Sequence, residues 1–263
     1  MLQVDFAQLH AWLVLFLWPF TRLAAFLTVA PVLGHASVPR QVKIVLAGLL
    51  CVVIAPTLPP LPAAPVLSWV GLGILVEQVL IGVAMGLSLR VMFTVVQAAG
   101  EFIGLQMGLA FATFFSPDTG ANTMILSRLL YMITLLMFLA ANGHLVVIDT
   151  LATSFQTLPI GLAGLNTDAF GLLARYGGTI FVSGLLLALP LVAALLIINL
   201  TLGILNRSAP QLTVFSVGFP ASLIAGLFLL VILMTDLGRF LQNLFGHGLA
   251  FLRTLVEAMA PLG

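Results

Sequence analysis

The residues able to do chemistry in this chain are few and scattered. Its four histidines, His10, His35, His144 and His247, are far apart, and none has a second donor at helical spacing. A metal site built on one helix face needs that second donor. The one cysteine, Cys51, lies in IVLAGLLCVVIA, with no CxxC partner and no second thiol for an internal disulfide. It reads as a small buried hydrophobe. Asp149 and Asp236 could in principle pair as an intramembrane aspartyl protease, but neither stands in a supporting motif, and both read as helix ends near a membrane interface. No GxSxG, HExxH or GxxxxGK[ST] occurs. The expectation is therefore a protein that is not an enzyme, holds no metal and no cofactor, and draws energy for any work from elsewhere.

One set of polar residues does fall into a pattern. Gly82, Gly86, Arg90, Thr94, Gln97, Glu101, Gly104 and Gly108 follow one another at steps of three or four, which on a helix makes one continuous stripe. Glycines let another backbone approach closely, and Gln, Thr, Glu and Arg can hydrogen-bond across the contact. Arg90 and Glu101 would be costly against lipid tails. The stripe reads as a helix–helix interface or as a pathway for a proton or small solute, and it faces protein either way.

The elements that carry these residues belong to a membrane. The chain has 263 residues, 62% hydrophobic and 6% charged, with a formal net charge of +1; soluble domains are about a quarter charged. This chain has too little polar surface to face water on all sides, so it reads as an integral membrane protein. No basic run suggests a nucleic-acid partner. The N-terminal MLQVDFAQLHAWLVLFLWPF lacks the charged region that opens a signal peptide, and is expected to be retained. The apolar runs are continuous rather than alternating, so the fold class is all-α, not a barrel.

Segment one covers about 6–32, broken at Trp18-Pro19 and carrying Arg22; GHASVPRQVK follows as a loop with Arg40 and Lys43. Segment two, 44–58, is short for a span and ends in the proline-rich PTLPPLPAAP. From 66 to 115 there is no polar loop. Fifty residues would make a helix of about 75 Å, so a bend or reversal is expected inside. Segment five covers 124–141, a partial span with an exposed connector follows, and 176–205 contains Pro190. The last span, 215–235, is expected to end at Asp236 and Arg239, before an amphipathic tail. Hydropathy suggests five to seven spans.

Two stretches stand out from these runs. FATFFSPDTGANT, 111–123, is punctuated by Pro and Gly yet aromatic; it is a membrane-interface turn or a loop folded inward to fill a cavity. LNRSAPQLTVFSVGFP, 205–220, gathers Asn206, Arg207, Ser208, Pro210 and Gln211 between two oily runs. Pro210 stops a helix there and the polar residues keep the turn wet; Arg207 in a short loop suits the cytoplasmic side.

LNRSAPQLTVFSVGFP, GEFIGLQMGLAFATFFSPDTG and the early APVLGHASVPRQVK, with NGHL and LPIG between them, resemble the FliR family of flagellar export-gate proteins over essentially the whole chain. The injectisome homologues, the SctT family, share the general pattern, and the flagellar form of the GEFIGLQMG run favours the former. The resemblance implies a fold of hydrophobic helical hairpins, a FliP-like part (about 1–175, including the plug loop) followed by a FliQ-like hairpin (176–263), packed into a multi-subunit helical pore. It implies a non-enzymatic subunit of the flagellar type III export gate, a closed complex with FliP and FliQ through which unfolded flagellar proteins leave. FlhB would be associated and the FlhA ring near. The place would be the bacterial inner membrane at the flagellar basal body, in contact with lipid and with part projecting to the periplasmic side.

By motif, Phe111, Phe114, Phe115, Ser116 and Pro117 would belong to a plug that closes the pore, with Met107 in a flexible constriction. Gly100, Glu101, Gly104, Gly108, Arg90 and Gln97 would pack subunits together. Asn206, Arg207, Pro210 and Gln211 would form a cytoplasmic hairpin tip where partners dock. A small-solute permease, which would also use glycine-rich broken helices and intramembrane charge, is the reading from another class.

Overall fold

Lipid offers the backbone no hydrogen bonds, so an oily chain must satisfy its amides internally, and helices do this one segment at a time. The computed structural model describes residues 6–31, 34, 38–62, 64–109, 125–162, 164–208 and 218–261, with side chains from Trp12 onward. Among the described residues there are eight α-helices, a 3-10 turn at Ala55–Thr57 and no strand. The helices are α1 (Phe6–Val29), α2 (Arg40–Ile54), α3 (Trp69–Gln106), α4 (Ile125–Ala140), α5 (Gly143–Thr157), α6 (Asp168–Gly177), α7 (Thr179–Ser208) and α8 (Phe219–Ala258). Five stretches are long and apolar enough to cross a membrane, and a sixth if α4 and α5 count as one broken span. The break is at Asn142, held at φ 56°, a conformation that Asn tolerates better than other side chains.

Several expected boundaries do not occur. No reversal falls within Trp69–Gln106: α3 is one unbroken helix of 38 residues, about 57 Å long at 1.5 Å per residue. Such a length needs protein contacts as well as lipid, and close contacts line it from Gly82 to Gly100. Asp236 and Arg239 do not end the last helix, which continues for 40 residues as α8; both side chains are exposed, so neither disturbs the backbone ladder. Asp149 lies in the middle of α5, exposed, with its carboxylate 3.9 Å from Arg253. Trp18-Pro19 does not break α1, which passes through Pro19 with Trp18 fully buried. Arg40 and Lys43 belong to the first turn of α2, and with the 3-10 turn that segment reaches 18 residues, enough to cross.

Contacts divide the chain into two compact units. One holds α1, α2, α5, α6, the part of α3 up to Arg90 and the end of α8 from His247. In it α1 and α3 touch backbone to backbone. A Cβ on Gly82 would collide with the Arg22 carbonyl, and one on Gly86 would lie 2.9 Å from Val29 Cβ. Cys51 is fully buried against α1, its Sγ 3.4 Å from the Phe16 carbonyl. Tyr176 stacks on Phe251 at 3.8 Å, joining α6 to the last turns of α8.

The other unit holds Val91–Ala141 and Gly178–Gly246. Its core is an aromatic chain: Phe93 lies 5.8 Å from Tyr131 and 5.4 Å from Phe138, which in turn meets Phe245 edge-on at 5.3 Å. Edge-to-face geometry of this kind suits ring quadrupoles. Glycines again set the closest approaches. A Cβ on Gly100 would fall 2.5 Å from Ser127 Cα, and one on Gly184 would fall 3.0 Å from the Val95 carbonyl oxygen.

Candidate functional site

Because α3 is unbroken, the eight-residue pattern becomes geometry up to Gly104. At 100° per residue the stripe spans a sector about 120° wide. Gly82, Gly86 and Gly104 fall in one third of it and are buried; Arg90, Glu101 and Thr94 fall in the opposite third, the first two exposed and Thr94 half-buried, with Gln97 half-buried midway. The glycine margin is spent inside this chain, against α1 in one unit. In the other, Gly100 lies against α4, where the Gln97 carbonyl also accepts from Ser127 Oγ at 2.9 Å. The charged margin is turned outward on the single chain.

Past Gln106 the helix closes with a Schellman motif. Leu109 N–H donates to the Gly104 carbonyl at 2.9 Å, and Gly108 N–H to that of Leu105 at 3.0 Å, the paired bonds that end a helix on a left-handed residue. Gly108 is that residue, at φ 80°, a backbone state cheap only for glycine. Met107, 1% exposed, lies against Gly226 of α8, where a Cβ would fall 2.5 Å from its Cγ. Asn199 of α7 donates from Nδ2 to the Gln106 carbonyl at 3.3 Å and accepts from Ser222 Oγ of α8 at 2.5 Å. Phe111, Phe114, Phe115, Ser116 and Pro117 lie outside the described residues.

At the hairpin, α7 extends further than the composition of 205–220 suggests: Asn206, Arg207 and Ser208 form its last turn. Arg207 is exposed there, where a cation complements the negative end of the helix. Pro210 and Gln211 lie outside the described residues.

The sequence reading missed the most deeply placed charge. Arg22 of α1 is 0% exposed. Its Nε donates to Gln78 Oε1 of α3 at 2.8 Å, one terminal nitrogen to both Ser154 O and Ser154 Oγ at 3.0 Å, and the other to Leu158 O at 2.8 Å. The guanidinium also stands 4.1 Å from the Phe155 ring centroid, close enough for a cation–π contact. The ion pair between Arg253 and Asp149 lies elsewhere, exposed. Arg22 is instead balanced by the carbonyl end of α5, whose last groups have no partner within the helix and carry the negative end of its dipole. The arginine needs an acceptor, so Gln78 turns its oxygen inward, and its Nε2 has no hydrogen-bond partner among the described residues. A lone Arg inside an apolar helix was the available signal, since intramembrane charge is rarely idle.

These arrangements bind helices to one another; they do not assemble a nucleophile with a base. Among the described residues no three His, Cys, Asp or Glu side chains gather into a group that could hold a metal. The family described as bacterial export proteins, family 1, matches residues 13–248. The flagellar biosynthetic protein FliR of Escherichia coli (strain K12) is 45% identical over 259 residues, covering 98% of this chain and 99% of that one. Its counterpart in Pectobacterium carotovorum subsp. carotovorum is 47% identical over 236 residues, 90% of each chain. That of Bacillus subtilis (strain 168) is 31% identical over 244 residues, 92% of this chain and 94% of that one. With a family match across most of its length and relatives alike from end to end, this chain belongs to the bacterial export proteins, family 1.

Proposed function

We propose that this protein is a non-enzymatic subunit of the flagellar type III protein export gate, forming with FliP and FliQ the gated pore through which unfolded flagellar subunits leave the cytoplasm. The observation that carries this reading is the full-length likeness to FliR: 259 of 263 residues align, so the likeness takes in loops as well as oily helices. The chemistry agrees with it. The chain invests its polar residues in holding helices together, as a conduit requires, and the passage of an unfolded chain needs no bond made or broken here.

Within the gate, residues 1–175 act as a FliP-like part and 176–263 as a FliQ-like hairpin. Phe111, Phe114 and Phe115, with Ser116 and Pro117, form an apolar plug that blocks water and ions at rest, and Met107 borders the constriction. Arg90, Gln97 and Glu101 meet neighbouring subunits: on the single chain Arg90 and Glu101 are exposed and Gln97 is half-buried beside them, where lipid would be a costly neighbour for charge. Asn206, Arg207, Pro210 and Gln211 form the cytoplasmic tip, where FliQ copies and FlhB dock above the FlhA ring.

The complex sits in the inner membrane at the basal body, partly standing clear of lipid on the periplasmic side. Support for that comes from α8, about 60 Å long at 1.5 Å per residue against a hydrocarbon core of about 30 Å. Its exposed side chains are apolar from Ile224 to Ile232 and, Ala250 apart, polar from Thr235 to Glu257. One helix thus presents a lipid-like face over its first half and a water-like or protein-facing one over its second.

The test is recovery of the protein from its native membrane in mild detergent, followed by identification of what accompanies it. FliP and FliQ are expected in the eluate. Their absence, together with solute transport by the purified single chain, would replace the gate by a permease.

A further inference from the structure

An arginine carries five N–H donors, and the structure spends four of those on Arg22. Its Nε bonds Gln78, one terminal nitrogen bonds Ser154 twice, and the other bonds Leu158 once. The remaining N–H has no acceptor among the described residues. Gln78 supplies a second unpaired donor. Its oxygen is held by Arg22, so Nε2, joined to the same carbon, lies within about 5 Å of Arg22 Nε. That nitrogen has no partner among the described residues. Trp18 stands one turn before Arg22 on the same buried face of α1, and its Nε1 is a third unpaired donor. All three residues are 0% exposed, and a buried donor left unpaired costs the full desolvation of the group.

The charge is short of a partner as well. Among the described residues no carboxylate pairs with Arg22. The carbonyl end of α5 answers about half a unit of charge, and a buried cation is costly unless it is matched. The unpaired side-chain groups around the guanidinium are therefore donors, set beside a cation that is only partly neutralised. A water could accept two bonds there, but it would bring two protons in need of acceptors and no charge. An anion accepts and supplies the missing charge together. We propose that Arg22 and Gln78 bind a small monovalent anion such as chloride, held between the fifth guanidinium N–H and Gln78 Nε2. It satisfies Gln78 in the orientation that Arg22 imposes, and its loss loosens the end of α5.

The experiment uses the protein as recovered from its native membrane in mild detergent, with whatever accompanies it. Samples are equilibrated in chloride or in gluconate, an anion too large for a closed site, at equal ionic strength. A chloride titration fixes the dissociation constant. At about ten times that concentration, amides from Leu151 to Thr157 should exchange about tenfold more slowly than in gluconate. Gln78→Glu removes the donor and puts a carboxylate in the same volume, where it pairs with Arg22, so exchange should be slow in both media. Gln78→Leu removes the donor and supplies no charge, so exchange should be fast in both. Equal exchange of the parent in the two media overturns the proposal, as does a chloride effect that persists in Gln78→Glu. A second measurement needs no variant: in crystals of the parent grown with bromide, an anomalous peak should stand beside Gln78 Nε2. Density there without an anomalous signal would be water and would overturn the anion, and so would no density at all.

Discussion

Replacing Arg22 by methionine is expected to loosen the end of α5 by an amount that follows from its bonding list. The guanidinium makes four hydrogen bonds to three residues. Two of the acceptors keep another partner after its removal: Ser154 O still accepts from Leu158 N–H, and Ser154 Oγ still donates to Leu151 O. Gln78 Oε1 and Leu158 O lose theirs. A buried acceptor left without a partner costs about 1–3 kcal/mol, so the two together cost about 2–6 kcal/mol on the same scale. Part is returned, because methionine does not require stripping water from a cation. The balance is about 3 kcal/mol, near the lower end of what breaking a buried charge network costs.

At 1.4 kcal/mol per decade, exchange of the amides from Leu151 to Thr157 should quicken about a hundredfold. Hydrogen exchange of the purified protein in detergent measures this directly. Arg22→Lys should fall between, since an ammonium keeps the charge but cannot reach four acceptors on three residues as a planar fork does. In Arg22→Met with Gln78→Leu one of the two orphaned acceptors disappears, and part of the loss should be recovered, because removing both partners is milder than removing one. Exchange in Arg22→Met within about threefold of the parent, against the decade-scale loss that the bonding list implies, would refute the reasoning. Arg22 would then be a buried passenger and the carbonyl end of α5 would be held by something else.

Four further outcomes are expected. Gly82→Val pushes α3 off the Arg22 carbonyl and should cost about 1–3 kcal/mol, read as a lower melting temperature in detergent. Glu101→Ala should reduce recovery of FliP and FliQ on co-purification if that margin of α3 is an interface; normal assembly with failed export would mark a proton pathway instead. Deleting 111–120 should leave assembly possible but make reconstituted vesicles leaky to small ions, and an assembled complex without a leak would remove the plug. Arg207→Ala should weaken FlhB association and motility, and if neither changes, the last turn of α7 is only a helix end with a well-placed cation.

The class of protein and its helical build were legible because both rest on composition. An oily chain in lipid has few ways to satisfy its backbone, and continuous apolar runs choose among them. Helix ends were less legible, for a physical reason that the long helices make plain. Asp236 and Arg239 look like a boundary when hydropathy is read along the chain, yet polar side chains on an exposed face cost a helix little. The stretch from 66 to 115 looks too long for one membrane, yet a helix that is also supported by protein is not limited to the thickness of lipid.

Arg22 shows the deeper limit. Its partners stand 56, 132 and 136 residues away, and nothing local marks Gln78, Ser154 or Leu158 as its acceptors. Spacing rules report faces of single helices, so they found the stripe on α3 and the glycines that let α1 approach it. A charge balanced partly by the end of another helix leaves no periodic trace, because half of what answers it is backbone carbonyl that any sequence supplies. Asn199 belongs to the same kind, an amide whose purpose lies in the carbonyl of Gln106 and not in any neighbouring residue. In a chain this apolar, each interior polar side chain is therefore best read as one half of a contact whose other half, backbone or side chain, lies far along the sequence, and the fold is what reveals where.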